Sequence, residues 1–131
     1  DRIRKIDEEI YPYQVRDYIK QSYFVVSARM HPIISSIECN VPSISISYSR
    51  KYWGILGDGY NLKDYIIDMR HYENYNQIFE EFEKKVSYLQ QNREKFIKNI
   101  RLKNKKDQEV ILLKIKDILQ RKGEKRWSLV P

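Results

Sequence analysis

Glycine, proline and cysteine are scarce in this chain of 131 residues, which has four glycines, four prolines and one cysteine. With Cys39 alone, no internal disulfide framework and no cysteine-rich metal site can form, and its apolar surroundings predict a structural thiol rather than a nucleophile. Internal repeats and low-complexity segments are lacking as well. Long hydrophobic runs are missing too. None approaches the roughly 20 residues a membrane-spanning helix requires. The opening residues Asp1-Arg2-Ile3-Arg4-Lys5 lead into acidic residues, so no secretory leader is expected there, and the single cysteine is compatible with the expected cytoplasmic location. An initiating methionine is also lacking, and the expectation is a piece of something longer. No phosphate-binding glycine-rich loop of either common kind occurs.

What is present is a chain 41% hydrophobic and 33% charged, as in a soluble single domain with one modest core. The net charge of +7 is unevenly placed. From Arg93 to Arg126 there are thirteen Lys or Arg against five Asp or Glu, whereas residues 1–92 are nearly neutral. Such a basic tail suits a solvated helix face, and also allows peripheral contact with an anionic membrane surface. Nucleic acid is not expected as a partner. Tyr11, Tyr13, Tyr18 and Tyr23 lie in the less basic part, so stacking rings and phosphate-binding cations are not interleaved.

Two styles of sequence divide the chain. Pro12 opens a helix through Val15, Tyr18 and Ile19, and Tyr23-Phe24-Val25-Val26 reads as a buried strand. A second helix is predicted from about Pro32 to Cys39, ended by Asn40 in the left-handed conformation. Ser43 to Ser47 alternates strictly, as a strand does. Strand, helix, strand at this spacing predicts a βαβ unit with two parallel neighbours and a right-handed crossover. Gly54, Gly57 and Gly59 predict a loop around Trp53 and Asp58, and Tyr65-Ile66-Ile67 a short third strand. Residues 73–122 are helical in pattern, with breaks expected near Asn92 and over Lys103 to Lys106, and a stop at Gly123. The expected class is α/β: a parallel sheet with flanking helices over residues 1–70, followed by amphipathic helices over 71–131.

Chemistry concentrates where the first strand meets the second helix, in Ser27-Ala28-Arg29-Met30-His31-Pro32. In open α/β sheets ligands bind at the carboxyl edge. Arg29 offers a planar fork for a carboxylate or phosphate. His31, two residues on, can donate to an oxygen or move a proton near neutral pH. Pro32 belongs in a first helical turn, whose backbone amides can face an anion. No metal is expected: Asp58, Asp64 and Asp68 lack calcium-loop spacing, and His71 has no second histidine at ligand spacing. No cofactor is expected either.

The run SYFVVSARMHPIISSIECNVPSISISYSRKYWGIL, residues 22–56, resembles the signature of the polysaccharide pyruvyl transferase family. The resemblance rests on Val25-Val26, then Ser27, Arg29, Met30 and His31, then Val41-Pro42, then Ser47-Tyr48 and Lys51, in order and at the family's spacing. Met30 stands for the usual Leu and Asn40 for the usual Gly, both tolerable exchanges. The helix is more polar than family members usually carry, with Ser35, Ser36 and Glu38.

The resemblance implies the C-terminal, Rossmann-like half of a two-domain enzyme similar to GT-B glycosyltransferases, with the missing N-terminal domain across a cleft. Such enzymes transfer the pyruvyl group of phosphoenolpyruvate to a saccharide or lipid-linked oligosaccharide acceptor, forming a ketal at the inner face of the membrane. It further implies Arg29 and His31 as catalytic residues, and Ser27, Tyr48 and Lys51 as substrate-binding. The 131 residues alone are expected to be inactive. Two other readings remain open at this point: a nucleotide-sugar-binding half of a glycosyltransferase, in which Arg29 and His31 meet a diphosphate, and a non-catalytic helical interaction module built on residues 73–122.

Overall fold

The computed structural model describes residue 3 and residues 5–127; Asp1, Arg2 and Arg4 of the N-terminal stretch lie outside them. Three short strands, β1 (Val25–Ser27), β2 (Ser43–Ser47) and β3 (Ile66–Asp68), form one parallel sheet in the order β1-β2-β3. Val26 pairs with Ile44, and Ile46 with Ile67. The described residues are therefore mixed α/β, with a small parallel sheet and five α-helices, and they are mostly helical.

Helix α1 (Pro12–Gln21) begins with proline at its first position, where no amide partner is needed, and the Gln14 side chain accepts from the Tyr11 amide. Helix α2 (Met30–Glu38) connects β1 to β2, the predicted crossover helix. Its C-terminus is closed in the Schellman manner. Asn40 stands at φ 58°, its amide donates to the Ile37 carbonyl and the Val41 amide to that of Ser36.

Strand β2 is buried on both sides except at half-buried Ile46. Ile44 and Ile46 share one face, and Ser43, Ser45 and Ser47 the other, all three serines nearly inaccessible. The alternation thus marks two covered faces, as parallel sheets have, rather than a wet side. Helix α4 (Tyr75–Gln91) covers the isoleucine face. Helix α2 packs on the serine face, where small side chains permit close approach.

Three expectations are corrected. The glycine-bearing stretch is not a loop: α3 (Arg50–Tyr52) passes into a π-helical segment Trp53–Gly59. None of its glycines takes a left-handed φ, and space requires a glycine only at Gly57. A Cβ on buried Gly57 would stand 3.1 Å from the Lys63 side chain and 3.5 Å from the Trp53 ring. Lys103 to Lys106 is no break, and Gly123 is no stop, because α5 runs unbroken from Arg93 to Trp127. A polar run lowers burial, not helicity, since lysine is a good helix former, and one glycine costs only about 1 kcal/mol. The expected break at Asn92 is where α4 ends.

The core joins both parts of the chain. Ile33 and Ile37 of α2, Ile44 and Ile67 of the sheet, Leu89 of α4 and Phe96 and Ile100 of α5 are all buried in one cluster. Tyr65 meets Phe96 edge to face at 4.6 Å. Asn104 of α5 donates to the Ile37 carbonyl at 3.0 Å, a second donor to the acceptor that already takes the Asn40 amide, and so ties α5 to the end of α2.

Candidate functional site

Arg29 is the N-cap residue of α2, in extended backbone conformation, and His31 is the second residue of the helix. The helix starts two residues earlier than Pro32, so the proline sits third in the first turn and still displaces no intrahelical bond. Ser27, at the end of β1, accepts the Arg29 amide on its hydroxyl at 2.9 Å, shaping the turn from strand to helix. Both Arg29 and His31 are exposed.

Arg29 and His31 line one cavity of about 480 Å³ between α1 and the start of α2. Its other walls are Ile10, Pro12, Val15, Arg16, Ile19, Pro32 and Ser35. Arg29 and His31 thus share a concavity with an apolar back wall and no carboxylate among its lining residues, beside Arg16, whose guanidinium is turned to Glu38 in the neighbouring groove. That composition suits a small anion carrying some hydrocarbon. Arg16 was not singled out from the sequence. Nothing in its local pattern marks it, and only the packing of α1 beside α2 brings it to Arg29. Arg16 also pairs with Glu38 at 3.0 Å, both side chains about half exposed, a contact too wet to lock it in place.

The other sequence-predicted residues lie elsewhere. Ser27, Tyr48 and Lys51 are not among the cavity's lining residues. Tyr48 and Lys51 are exposed past the end of β2, and the Tyr48 ring rests 5.5 Å from that of Tyr52, edge-on. Cys39 is half-buried at the C-cap of α2.

Two further side chains shape this edge of the sheet. Tyr52 is buried, and its hydroxyl donates to the Ala28 carbonyl, tying α3 to the turn that presents Arg29. Burial, then the hydrogen bond with Tyr48, pushes its pKa up, so it stays a donor through the neutral range. Asp68, ending β3, is buried and held by the Arg70 guanidinium at two atoms, by the Arg70 amide and by the Trp53 indole N–H at 2.7 Å. The Arg70 hydrogen bonds hold its carboxyl well below the usual carboxylate range, outweighing burial. Asp58 and Asp64 are each engaged separately, with Lys63 at 2.7 Å and with the Tyr88 hydroxyl. Among the described residues, no three His, Cys, Asp or Glu side chains gather as a metal site would need.

Fold and site together define an α/β unit that presents a cationic cavity beside the helix following its first strand. The family model for polysaccharide pyruvyl transferase matches residues 1–50. That span includes α1, β1, α2 and β2, every residue lining the cavity, and Ser27 and Tyr48; Lys51 falls one residue beyond it. No curated protein and no solved structure matches the chain.

Proposed function

We propose that this chain is the C-terminal, donor-binding half of a polysaccharide pyruvyl transferase, taking phosphoenolpyruvate in the Arg29–His31 cavity. What carries the reading is a coincidence: the family match covers the whole wall of the cavity, and that cavity sets Arg29 and His31 side by side with no carboxylate among its lining residues. In the reaction, two hydroxyls of a sugar add to the enol carbon and the phosphate leaves. One hydroxyl proton ends on the donor's methylene, which becomes a methyl group, and the other on phosphate. Arg29 holds the donor's carboxylate or phosphate through its fork. His31 hydrogen-bonds the donor and passes a proton between hydroxyl and methylene. Ser27 orders the turn through the Arg29 amide. Tyr48 and Lys51 are second contacts for the same anion from the end of β2, reached when the donor is bound.

The acceptor is a surface saccharide or its lipid-linked precursor, which places the work in the cytoplasm at the inner face of the membrane. A preceding Rossmann-like domain supplies the acceptor side of a GT-B-like cleft. Two features support such a partner domain. Among the described residues the sheet has three strands, and β1 is an edge on which Val26 is 37% exposed among apolar neighbours Ile46, Ile67 and Phe79. The 131 residues alone are then inactive, and ketal formation by them would refute the division.

The test is phosphoenolpyruvate titration of the full-length protein, followed by calorimetry. Arg29→Ala removes a charge-assisted contact, and affinity falls roughly ten- to a hundredfold. Unchanged affinity removes Arg29 from the site. Binding of a nucleotide sugar in place of phosphoenolpyruvate assigns the cavity to a glycosyltransferase instead.

A further inference from the structure

Helix α5 has two unlike halves. Up to Asp107 it is part of the body of the domain, through buried Phe96 and Ile100, the Asn104 bond to α2 and the Lys103 ammonium 5.7 Å from the centre of the Tyr60 ring. From Gln108 to Arg121 every residue is exposed, a rod of about 21 Å at 1.5 Å per residue. Yet this rod is apolar. Ile111, Leu112, Ile115, Ile118 and Leu119 recur at helical steps along one side, 47–63% exposed, Ile111 at the mouth of a groove it lines with Gln108, Arg16, Glu38 and Tyr60 and the other four beyond it. That side continues the one on which Ile100 and Asn104 meet the domain, at the same three- and four-residue steps.

We infer that the distal half of α5 lies along an anionic lipid surface, its isoleucines and leucines in the headgroup boundary and its lysines on lipid phosphates. Charge complementarity decides for this occupant. Lys105 and Lys116 flank the apolar side on one margin, with Glu109 beyond them, and Lys114 stands on the other beside Arg121, where long side chains reach headgroups while their stems stay apolar. Asp117 projects from the far side and pairs with Arg121. The helix is not long and apolar enough to cross a bilayer, so it lies on the surface. A second copy of the chain fits less well. The apolar run from Val110 to Leu119 is shorter than the three heptads a stable helix pair needs. Val110 and Leu113 fall outside any two-helix seam, and two such lysine margins would repel. The inference deepens the membrane location proposed above, but its measurement is independent of the donor.

The experiment is co-sedimentation of the full-length protein with vesicles of phosphatidylcholine, with and without about one-third phosphatidylglycerol. The expected result is at least tenfold stronger binding to the anionic vesicles, weakening as salt rises. Replacing Ile115→Ser and Leu119→Ser together lowers binding roughly tenfold with an unchanged circular dichroism spectrum, since both side chains are exposed. Lys114→Glu with Lys116→Glu does the same through charge. Protein that stays in the supernatant overturns the inference, whether a second domain covers the rod or nothing does. So does equal binding to neutral vesicles, or a dimer that the double serine variant turns to monomer with vesicle binding unchanged. Loss of phosphoenolpyruvate binding in Arg29→Ala bears on the cavity and leaves this result where it stands.

Discussion

Arg29 can hold an anion only if the turn that carries it is firm, and two hydroxyls make it so. Ser27 accepts the Arg29 amide, and buried Tyr52 donates to the carbonyl one residue before it, 24 positions away in sequence. Tyr52→Phe keeps the ring and its packing and removes one hydrogen bond. The Ala28 carbonyl is near solvent, so water partly replaces the phenol, and the expected loss is about 1 kcal/mol of stability. Phosphoenolpyruvate affinity of the full-length protein falls a few-fold because the turn loosens. An unchanged melting temperature and an unchanged affinity in this variant would show that the tie is idle. Arg16 teaches a related lesson: an arginine on a helix face is one of many in such a sequence, and its place in the cavity depends on which side of α1 meets α2.

At the scale of the element, ends are governed by backbone conformations more than by hydrophobic pattern. Helix α2 stops where Asn40 turns left-handed and hands two amides back to the helix. Asn40→Gly relieves that conformation and is expected to be neutral or slightly stabilising. Asn40→Val puts a β-branched residue at φ 58° and costs about 1–2 kcal/mol. Urea unfolding of the pair checks the sign, and equal midpoints would mean the C-cap is not strained. Where the glycines of 54–59 promised a loop, the chain instead forms a widened helical turn. The residues that decide it lie outside the segment: Trp53 is drawn to Asp68, 15 residues on, and Gly57 closes against Lys63.

Over the whole molecule, Asp68 connects the end of β3 to the π-helical segment and to the turn Met69–His71. Its carboxyl is depressed in the folded state, so between the folded and unfolded values the unfolded chain binds more protons. The stabilisation is therefore complete at neutral pH, begins to fade as pH falls through the ordinary carboxylate range near 4, and is lost on passing the depressed value. Asp68→Asn lowers stability at pH 7 by about 2 kcal/mol, through lost charge-assisted bonds, and flattens the acid limb of the stability curve. Parallel acid profiles for the two proteins would exclude Asp68 as the main acid-sensitive group.

The parallel β1–α2–β2 unit, the Asn40 stop, the break at Asn92 and the third strand within a residue were legible in the sequence alone. Each of these follows from short-range patterns: a β-branched run, a strict alternation, a residue able to adopt positive φ. The Ser27-to-Pro32 turn was legible for the same reason, since a strand followed at once by a helix must put Arg29 and His31 at their junction. Only the tertiary structure decided which residues share a cavity, joining Arg16 to Arg29 and His31 while leaving Tyr48 and Lys51 outside it. It also decided that α5 runs through its lysines and carries an apolar side past the domain. Propensity and periodicity report on neighbours within a turn or two; which faces meet across tens of residues depends on packing that no local window contains.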